Sequence, residues 1–432
     1  MSMFAIDLDG DWLGGTSDAA DATFGSLRIR AGDIVLTDVD DTVAKTTRSA
    51  IRVPASLVAE WLILHWWRLR WEPRVEAPDT AWRWAHTMAS ISSEFAWPPL
   101  EIASDGEFVQ FVMPRGRRPD ATAIRYLQDV PNIDVPASDF ESAVDRFLDV
   151  IEERIRSSTP KDRSVVDLRM ELREERADPA RAQQCRWQAR AGFDAGDAPE
   201  AWTTEIAHLA EAVGARAMED ILASRGPTPT PQSVEAFLKR LRRAKTTIDV
   251  SGVRGITPST KRGRSKPWER AAEAAALARS KFGFGAGPVS NGRLEEILGA
   301  HIPVSVDSGP TGVSGGLRDA GVTKVLVSNS RVASQRFYFA RLLGLAVDLG
   351  DEPILPVSNA ATAAQQFGRA FAQELLCPWA ELDVFTDEHG TEEEAILDAA
   401  DRYSVSEMMI ATILVNHGKV PRERLSRFAQ AS

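Results

Sequence analysis

The sequence predicts an α+β protein with several domains, and three observations lead to this fold class. The chain has 432 residues, more than one hydrophobic core usually supports, so two or three domains are expected. Residues 1–54 contain short strand-like runs separated by Gly and Asp turns. From about residue 160 the pattern becomes mainly helical.

The first predicted domain, residues 1–159, mixes both element types. Its early strands are FAIDL, SLRIR, DIVLTDV and SAIRVP, and the breaker-free stretch Pro54 to about Trp71 predicts a helix. A second helix is expected around TAWRWAHTMASIS. The segment LEIASDGEFVQFVMP predicts a hairpin, because two alternating runs flank the turn dipeptide Asp105-Gly106. NIDVP predicts a strand before a helix capped by Ser138 or Asp139.

Three further segments complete the predicted organisation. Residues 160–230 have a helical and acidic pattern and are expected to form a helical domain. Residues 231–265 contain the basic helix VEAFLKRLRRAK and the polar stretch ITPSTKRGRSK, which is interpreted as a solvated linker. Residues 266–432 are expected to form the last domain, in which QRFYFARLLGLAVDL is a buried helix.

Charge is distributed unevenly along the chain. The net charge of −11 argues against a protein that coats nucleic acid along its whole length. Between Lys239 and Arg270, however, eleven basic residues face two acidic ones, which gives this block +9 and leaves −20 for the remainder. The candidate nucleic-acid-binding residues in this block are Lys239, Arg240, Arg242, Arg243, Lys245, Lys261, Arg262, Arg264 and Lys266.

Three interpretations of the basic block remain open. Clustered Lys and Arg can bind phosphates with strong salt dependence. The block can instead fold back on the acidic remainder of the chain or dock on an acidic partner. The third interpretation is a solvated tether, because basic runs alone are unspecific.

Several classes of protein are disfavoured by the composition. The start MSMFAIDLDGDW lacks the pattern of a signal peptide, and no apolar run is long enough to span a membrane. Cys185 and Cys377 lie far apart in the sequence, and no two histidines have the spacing of metal ligands. A cytoplasmic protein without a cofactor and without a membrane partner is therefore expected.

Two N-terminal features suggest other functions. Asp38 and Asp40 have the spacing of a phosphatase-type Asp-x-Asp loop, which would use magnesium, as do Asp7 and Asp9. Such a loop must lead into a parallel βαβ unit, whereas turn-forming aspartates need no such context. The run WLILHWWRLRWEP could stack on bases, but its spacing is typical of a core helix.

About the last 165 residues contain three short motifs: Arg336-Phe337-x-x-Ala340, Leu343-Gly344 and AFAxELLxP from Ala370 to Pro378. In these motifs the segment resembles the ImmA/IrrE family of zincin-like metallopeptidases. In the family these belong to an RFxxAHELGH helix and a later ExxANxFAxELLMP helix. The N-terminal segments EWLILHWWRLRWEP, WRWAHTMASIS and SDGE are similar to a leading domain found in some degenerate bacterial members.

The residues expected to bind zinc are replaced in this sequence. The first His position is Arg341, the Glu position is Leu342 and the second His position is Leu345. The region of the third ligand holds Gln365 to Phe367 and has no carboxylate. Arginine stays protonated and leucine has no lone pair, so neither side chain can bind zinc.

The resemblance therefore implies a pseudo-peptidase that keeps the fold without catalysis. Its expected role is that of a sensor, adaptor or regulator in a bacterial stress response or anti-phage defence, with a protein partner bound by edge-strand addition within Thr323–Asn329. Arg341 is expected to pair with Asp348, Glu374 or an acidic ligand, because a buried guanidinium is costly alone. The candidate residues of the pseudo-active site are Arg336, Arg341, Gln365, Arg369 and Glu374.

Overall fold

The chain folds into two compact units, Met1–Thr204 and Glu205–Ser432. The computed structural model describes residues 3–9, 12–15, 17–114, 123–158, 164–224, 228–306 and 313–428. These residues combine many helices with several small antiparallel sheets, so the α+β fold class is confirmed at this level. The boundary at 204/205 falls inside the segment 160–230, which was predicted to be a single helical domain.

The described part of the first unit contains ten strands and seven complete helices. The strands are β1 (Phe4–Leu8), β2 (Phe24–Ala31), β3 (Ile34–Val35), β4 (Val39–Asp41), β5 (Thr46–Arg48), β6 (Ile51–Pro54), β7 (Glu101–Ser104), β8 (Phe108–Met113), β9 (Ile124–Tyr126) and β10 (Val130–Pro136). The helices are α1 (Ala19–Ala22), α2 (Ala55–Leu64), α3 (Trp66–Trp71), α4 (Thr80–His86), α5 (Ala137–Ser158), α6 (Ser164–Ala177) and α7 (Pro179–Arg190). Helix α8 (Glu200–Val213) contains the boundary, and a 3₁₀ turn covers Met88–Ser90.

Three antiparallel sheets organise these strands. Their orders are β1-β2-β3 with β6 beside β2, then β10-β8-β7, and β5-β4-β9. The predicted hairpin is confirmed: Ser104 pairs with Val109, and Gly106 takes a φ of 103°, a conformation that favours glycine. Asp105 accepts hydrogen bonds from two backbone N–H groups of the turn.

Helix α5 shows how the first core is built. Its buried residues Phe140, Val144, Phe147 and Ile151 recur at helical spacing and pack into one apolar cluster. The long helix predicted from Pro54 to Trp71 is interrupted at His65, which separates α2 from α3.

The second unit contains one four-stranded sheet and a larger set of helices. Its strands are β11 (Thr247–Ile248), β12 (Ser314–Asp319), β13 (Val322–Leu326) and β14 (Ile354–Val357). Its helices are α9 (Ala215–Leu222), α10 (Pro231–Arg243), α11 (Pro267–Lys281), α12 (Asn291–Leu298), α13 (Val332–Asp348), α14 (Ala363–Leu376), α15 (Trp379–His389), α16 (Glu393–Tyr403), α17 (Glu407–Asn416) and α18 (Leu425–Phe428). The 3₁₀ turns are Ser251–Val253 and Arg422–Arg424.

The sheet of this unit is antiparallel throughout, in the order β11-β13-β12-β14. Helix α13 is buried on most of its faces, as its apolar sequence predicted, and belongs to the core together with α11 and α14. Within the described residues, no helix is both long and apolar enough to cross a membrane.

Candidate functional site

Helices α13 and α14 cross closely because glycine lies at two contact points. A Cβ on Gly344 would lie 2.8 Å from the Cβ of Phe371, so this position has room only for glycine. A Cβ on Gly368 would lie 3.1 Å from the Cγ of Leu345. The close approach brings Arg341 on α13 beside Gln365 in the first turn of α14.

Arg341 and Gln365 are joined directly by a hydrogen bond. The Nη2 of Arg341 donates to the Oε1 of Gln365 at 2.7 Å and to the carbonyl oxygen of Ser358 at 2.7 Å. These are the two positions at which the resemblance places the first zinc-binding His and the third-ligand region. The structure therefore brings together two residues that the sequence separates by 24 positions.

Gln365 is fully buried and its side-chain amide is well satisfied. Its Oε1 also accepts from the N–H of Ser358 at 3.0 Å, while its Nε2 donates to the carbonyl oxygen of Pro356 at 2.7 Å and to Asp220 Oδ2 at 3.0 Å. The side-chain amide of Gln365 thus bonds to backbone groups of β14 and of the residue after it, as a neighbouring strand would do.

Asp220 is a member of this network that the sequence analysis missed. It lies on α9, is 3% exposed, and accepts a second hydrogen bond from the hydroxyl of Thr362, which caps α14. The available signal was its position: Asp220 lies among Ala217, Met218 and Ile221, which form the buried stripe of α9.

Two of the partners expected for Arg341, Asp348 and Glu374, were wrong. Asp348 is bound by three other arginines, and Glu374 accepts from the backbone N–H of Trp379 at 3.1 Å. Seven residues correspond to about 10 Å along a helix axis, so Asp348 lies too far along α13 to reach Arg341. The pKa of Arg341 is lowered to about 9, first by burial and then by repulsion from Arg369.

The five candidate residues of the pseudo-active site divide into two groups. Arg341, Gln365 and Arg369 lie together; both terminal nitrogens of Arg369 donate to the carbonyl oxygen of Ala360 at 3.0 Å. Arg336 instead donates to Asn291 Oδ1 and to a backbone carbonyl. With Glu374 bonded to the N–H of Trp379, neither Arg336 nor Glu374 belongs to the Arg341 network.

The expectation of an open edge strand within Thr323–Asn329 was wrong for the first residues of this range. β13 lies inside the sheet, where Thr323 and Lys324 pair with β11 and the N–H of Val325 donates to the carbonyl oxygen of Thr246 at 2.9 Å. The chain itself therefore occupies the edge at which a peptide was expected to bind.

The basic block is part of the folded second unit. Helix α10 buries Val234, Phe237, Leu238 and Leu241, and its basic residues occur between these positions. Lys239, Arg242, Arg243 and Lys245 are exposed, and the described residues place no carboxylate within ion-pair distance of them.

The stretch ITPSTKRGRSK, which was interpreted as a solvated linker, makes hydrogen bonds to acidic side chains elsewhere in the unit. The N–H groups of Ser259 and Thr260 donate to Glu273, and Arg262 donates to Asp348. Among the interpretations left open, folding back on an acidic residue of the same chain is therefore observed for Arg262. Lys261 and Arg264 are exposed, and Arg240 and Lys266 are partly buried.

The aspartates of the N-terminal motif lie in an antiparallel context. Asp40 is on β4, which pairs with β5 and β9, and Asp38 accepts from Gln128 at 3.0 Å. This sheet is not the parallel βαβ unit that phosphatase chemistry at Asp38 requires. In the described part of the chain, no group of three or more His, Cys, Asp or Glu side chains is placed to hold a metal ion.

The tryptophan-rich segment is a core element, as favoured. Trp61, Trp66 and Trp67 are buried, although Leu64 of the same segment is 47% exposed. His86 is fully buried between Glu72 and the carbonyl oxygen of Ile102, as expected for a satisfied interior histidine. Cys185 and Cys377 are both free thiols.

Comparisons with known proteins give no relative for this chain: no family model, no curated protein and no solved structure matches it.

Proposed function

We propose that the second unit is a non-catalytic pseudo-peptidase of ImmA/IrrE type that works as a sensor, adaptor or regulator. The observation that supports this proposal best is the hydrogen bond between Arg341 and Gln365. In a zincin of this type the corresponding positions would face one metal ion from two helices. Here a cationic donor and an amide acceptor satisfy each other in that place.

The chemistry of these side chains opposes zinc binding and hydrolysis. At neutral pH Arg341 is protonated even with a pKa of about 9, so it offers donors and no lone pair. Leu342 and Leu345 are fully buried apolar residues, which provide neither a general base nor a ligand. The proposed role is therefore binding of a protein partner in a bacterial stress or anti-phage pathway, in the cytoplasm and without cleavage.

Rebuilding the metal site tests the relation to zincins. The fourfold variant Arg341→His, Leu342→Glu, Leu345→His and Gln365→Glu should bind about one zinc per chain and melt at higher temperature with zinc. A matched variant without Leu345→His lacks one ligand and should bind zinc much more weakly. Zinc content is measured by elemental mass spectrometry after dialysis against a chelator.

Two results would contradict this proposal. One is stoichiometric zinc in the unaltered protein, which needs no engineered variant. The other is a rebuilt protein that keeps the helical circular dichroism of the parent but takes up no zinc.

The partner is sought by gentle affinity purification from the native bacterium at low salt, with mass spectrometry and absorbance at 260 and 280 nm. A protein that co-purifies in a fixed ratio without nucleic acid supports the regulator. The unaltered chain purifying alone under these conditions opposes it.

A second candidate function is nucleic-acid binding, favoured by the exposed cluster of Lys239, Arg242, Arg243 and Lys245. Replacing all four by glutamine should weaken binding of a fluorescent oligonucleotide and flatten its salt dependence, because fewer counterions are released. The control replaces four exposed arginines of the first unit, Arg28, Arg52, Arg83 and Arg146, by glutamine. Equal weakening by both sets, or a salt-independent affinity, opposes this function.

A further inference from the structure

Strand β1 has one side that is paired with β2 and one side that is open. It is the last strand in the order of its sheet. The N–H of Asp9 donates to the carbonyl oxygen of Ser26, and the register places Asp7 in the same orientation. Backbone groups alternate between the two sides of a strand, so Ile6 and Leu8 direct their N–H and carbonyl groups away from β2. Within the residues that the structure describes, these four groups have no hydrogen-bond partner.

The open side of β1 lacks the features that usually block the edge of a sheet. An exposed edge can pair with another chain, and proteins prevent this with proline, lysine or very short strands. In the same unit β10 contains Pro131 and Pro136, while β3, β5 and β9 have only two or three residues. Strand β1 has five residues and neither proline nor lysine. Ile6 and Leu8 are partly exposed, so another strand can reach this side.

The charges nearest to β2's partner strand decide which chain fits the open side. Asp7 and Asp9 are exposed on one face of the strand, and neither forms an ion pair with a described residue. Arg28 lies opposite Asp7, but on β2. A strand added to the open side lies about 5 Å from β1 and about 10 Å from β2, so it meets the aspartates before Arg28.

This charge pattern favours a basic partner over a second copy of the chain. Two β1 strands placed side by side would bring the aspartates of both copies together, and like charges on neighbouring strands destabilise the pair. Lysine or arginine at alternate positions of the added strand would instead lie beside Asp7 and Asp9.

We propose that β1 binds an extended basic segment of a protein partner as an additional strand of the sheet. The backbone groups of Ile6 and Leu8 form the hydrogen bonds that provide affinity, and the two aspartates select the basic side chains. The inference gives the first unit a binding role and does not depend on the pseudo-peptidase proposed for the second unit.

The probe is a fluorescent heptapeptide of alternating valine and lysine with blocked ends, and its counterpart alternates valine and glutamate. Fluorescence anisotropy should show saturable binding of the lysine peptide and at least about tenfold weaker binding of the glutamate peptide. Ile6→Pro should weaken binding of the lysine peptide at least about tenfold, because it removes an N–H that points to the open side and that β2 does not use. Ile6→Val keeps this N–H and is the control, with an affinity within about twofold of the unaltered protein.

Two further measurements locate the added strand. The double variant Asp7→Lys, Asp9→Lys changes exposed residues only and should prefer the glutamate peptide. Hydrogen exchange of the N–H groups of Ile6 and Leu8 should slow when the lysine peptide is added to the unaltered protein, while that of Asp7, which faces β2, should not change. This measurement needs no variant and so does not depend on whether Ile6→Pro folds.

Three results would overturn the inference. The first is equal affinity of the unaltered protein and folded Ile6→Pro for the lysine peptide, which would mean attraction by charge alone. The second is equal affinity of the unaltered protein for both peptides, or no binding up to about 1 mM. The third is a dimer of the unaltered protein that Ile6→Pro converts to a monomer in analytical ultracentrifugation, because β1 would then pair with a second copy.

Discussion

The two units differ in the acceptors of most of their buried arginines. The exceptions are Arg190 of the first unit, which donates to the carbonyl oxygen of Asp105, and Arg270 of the second, which contacts Asp348. Three buried arginines of the first unit each contact a carboxylate: the pairs are Arg68–Glu72, Arg70–Glu141 and Arg169–Asp145. In the second unit Arg279 and Arg336 are also buried, but they donate to backbone carbonyls, and Arg336 to an asparagine as well. Arg341 follows the pattern of the second unit.

The pKa values follow this difference for Arg68 and Arg336 but not for Arg70, whose pKa is lowered by burial although it contacts Glu141. Burial alone would lower the pKa of Arg68, but the charges of Glu72 and Asp194 outweigh it and raise the pKa. Burial lowers the pKa of Arg279 and of Arg336, and for Arg336 no carboxylate opposes it. A carbonyl satisfies the N–H groups without cancelling the charge, so the second unit keeps positive charge inside.

Arg68→Met should cause the largest loss of stability, about 3–5 kcal/mol, because Glu72 is left as a buried anion. The Nε of Arg68 lies 2.6 Å from Glu72 Oε2, and His86 then remains as the partner of that oxygen. Ten of the 12 tryptophans, all except Trp268 and Trp379, lie in residues 1–204. Denaturation followed by tryptophan fluorescence therefore reports mainly on this unit.

The control for this change is Arg156→Met. Arg156 also pairs with a Glu four residues away, Glu152, but its side chain is 59% exposed. Its loss should cost less than about 1 kcal/mol, as for surface ion pairs. Similar losses for both variants would mean that burial does not set the value of these pairs.

Asp348→Asn tests the buried carboxylate of the second unit that does pair with arginines. This carboxylate is 1% exposed and binds Arg216, Arg262 and Arg270, which come from three separate segments. A loss of about 3 kcal/mol is expected, at the low end for a broken buried pair, because Arg216 and Arg262 can turn to water. Native-state hydrogen exchange of α13 measures it. Asp351→Asn, at a fully exposed position nearby, should change stability by less than about 0.5 kcal/mol.

Asp105→Asn should stabilise the first unit, and only at higher pH. Burial raises the pKa of Asp105 from 3.8 to about 6, so the folded state binds this proton more tightly than the unfolded state. The stability of the unaltered protein then falls as pH rises from about 4 to about 6. Asparagine does not ionise, so this loss of stability with pH disappears. Its side-chain oxygen can still accept the hydrogen bonds from the N–H groups of Glu107 and Phe108.

The stability difference between Asp105→Asn and the unaltered protein should therefore grow from near zero at pH 4 to about 1–3 kcal/mol at pH 7, and stay constant above. Denaturation curves at several pH values give this difference. A difference that does not change with pH would show that Asp105 is ionised in the fold without cost.

Local patterns in the sequence predicted the local structure well. The hairpin around Asp105, the strand FAIDL and the buried helix α13 follow from alternation, turn residues and apolar content, which act over a few neighbouring residues. The break at His65 was missed, because SLVAEWLILHWWRLRW contains no Gly or Pro to mark it.

The contacts that define the site depend on residues distant in the sequence. The alignment of motifs pointed to Arg341 and Gln365, but Asp220 lies 145 positions from Gln365 and belongs to no motif. The order of Ser259–Arg262 depends on Glu273 and Asp348, whereas a polar stretch without apolar period predicts only irregular structure. The sequence also did not predict which charged residues are buried, because the partner of Arg70 is 71 residues away.

Arg336→Met should have the smallest effect and sharpens the comparison most. Like Arg68, Arg336 is buried, but its acceptors are the carbonyl of Val289 and the Oδ1 of Asn291. Methionine removes an uncancelled charge while keeping most of the apolar contacts of the stem, and exposed Asn291 can return to water. The loss of Val289's partner opposes this gain, so a net loss of no more than about 1 kcal/mol is expected. Hydrogen exchange of α13 in this variant, compared with α3 in Arg68→Met, gives both values by one method. A loss as large as that of Arg68→Met would mean that neutral acceptors stabilise a buried guanidinium as well as a carboxylate does.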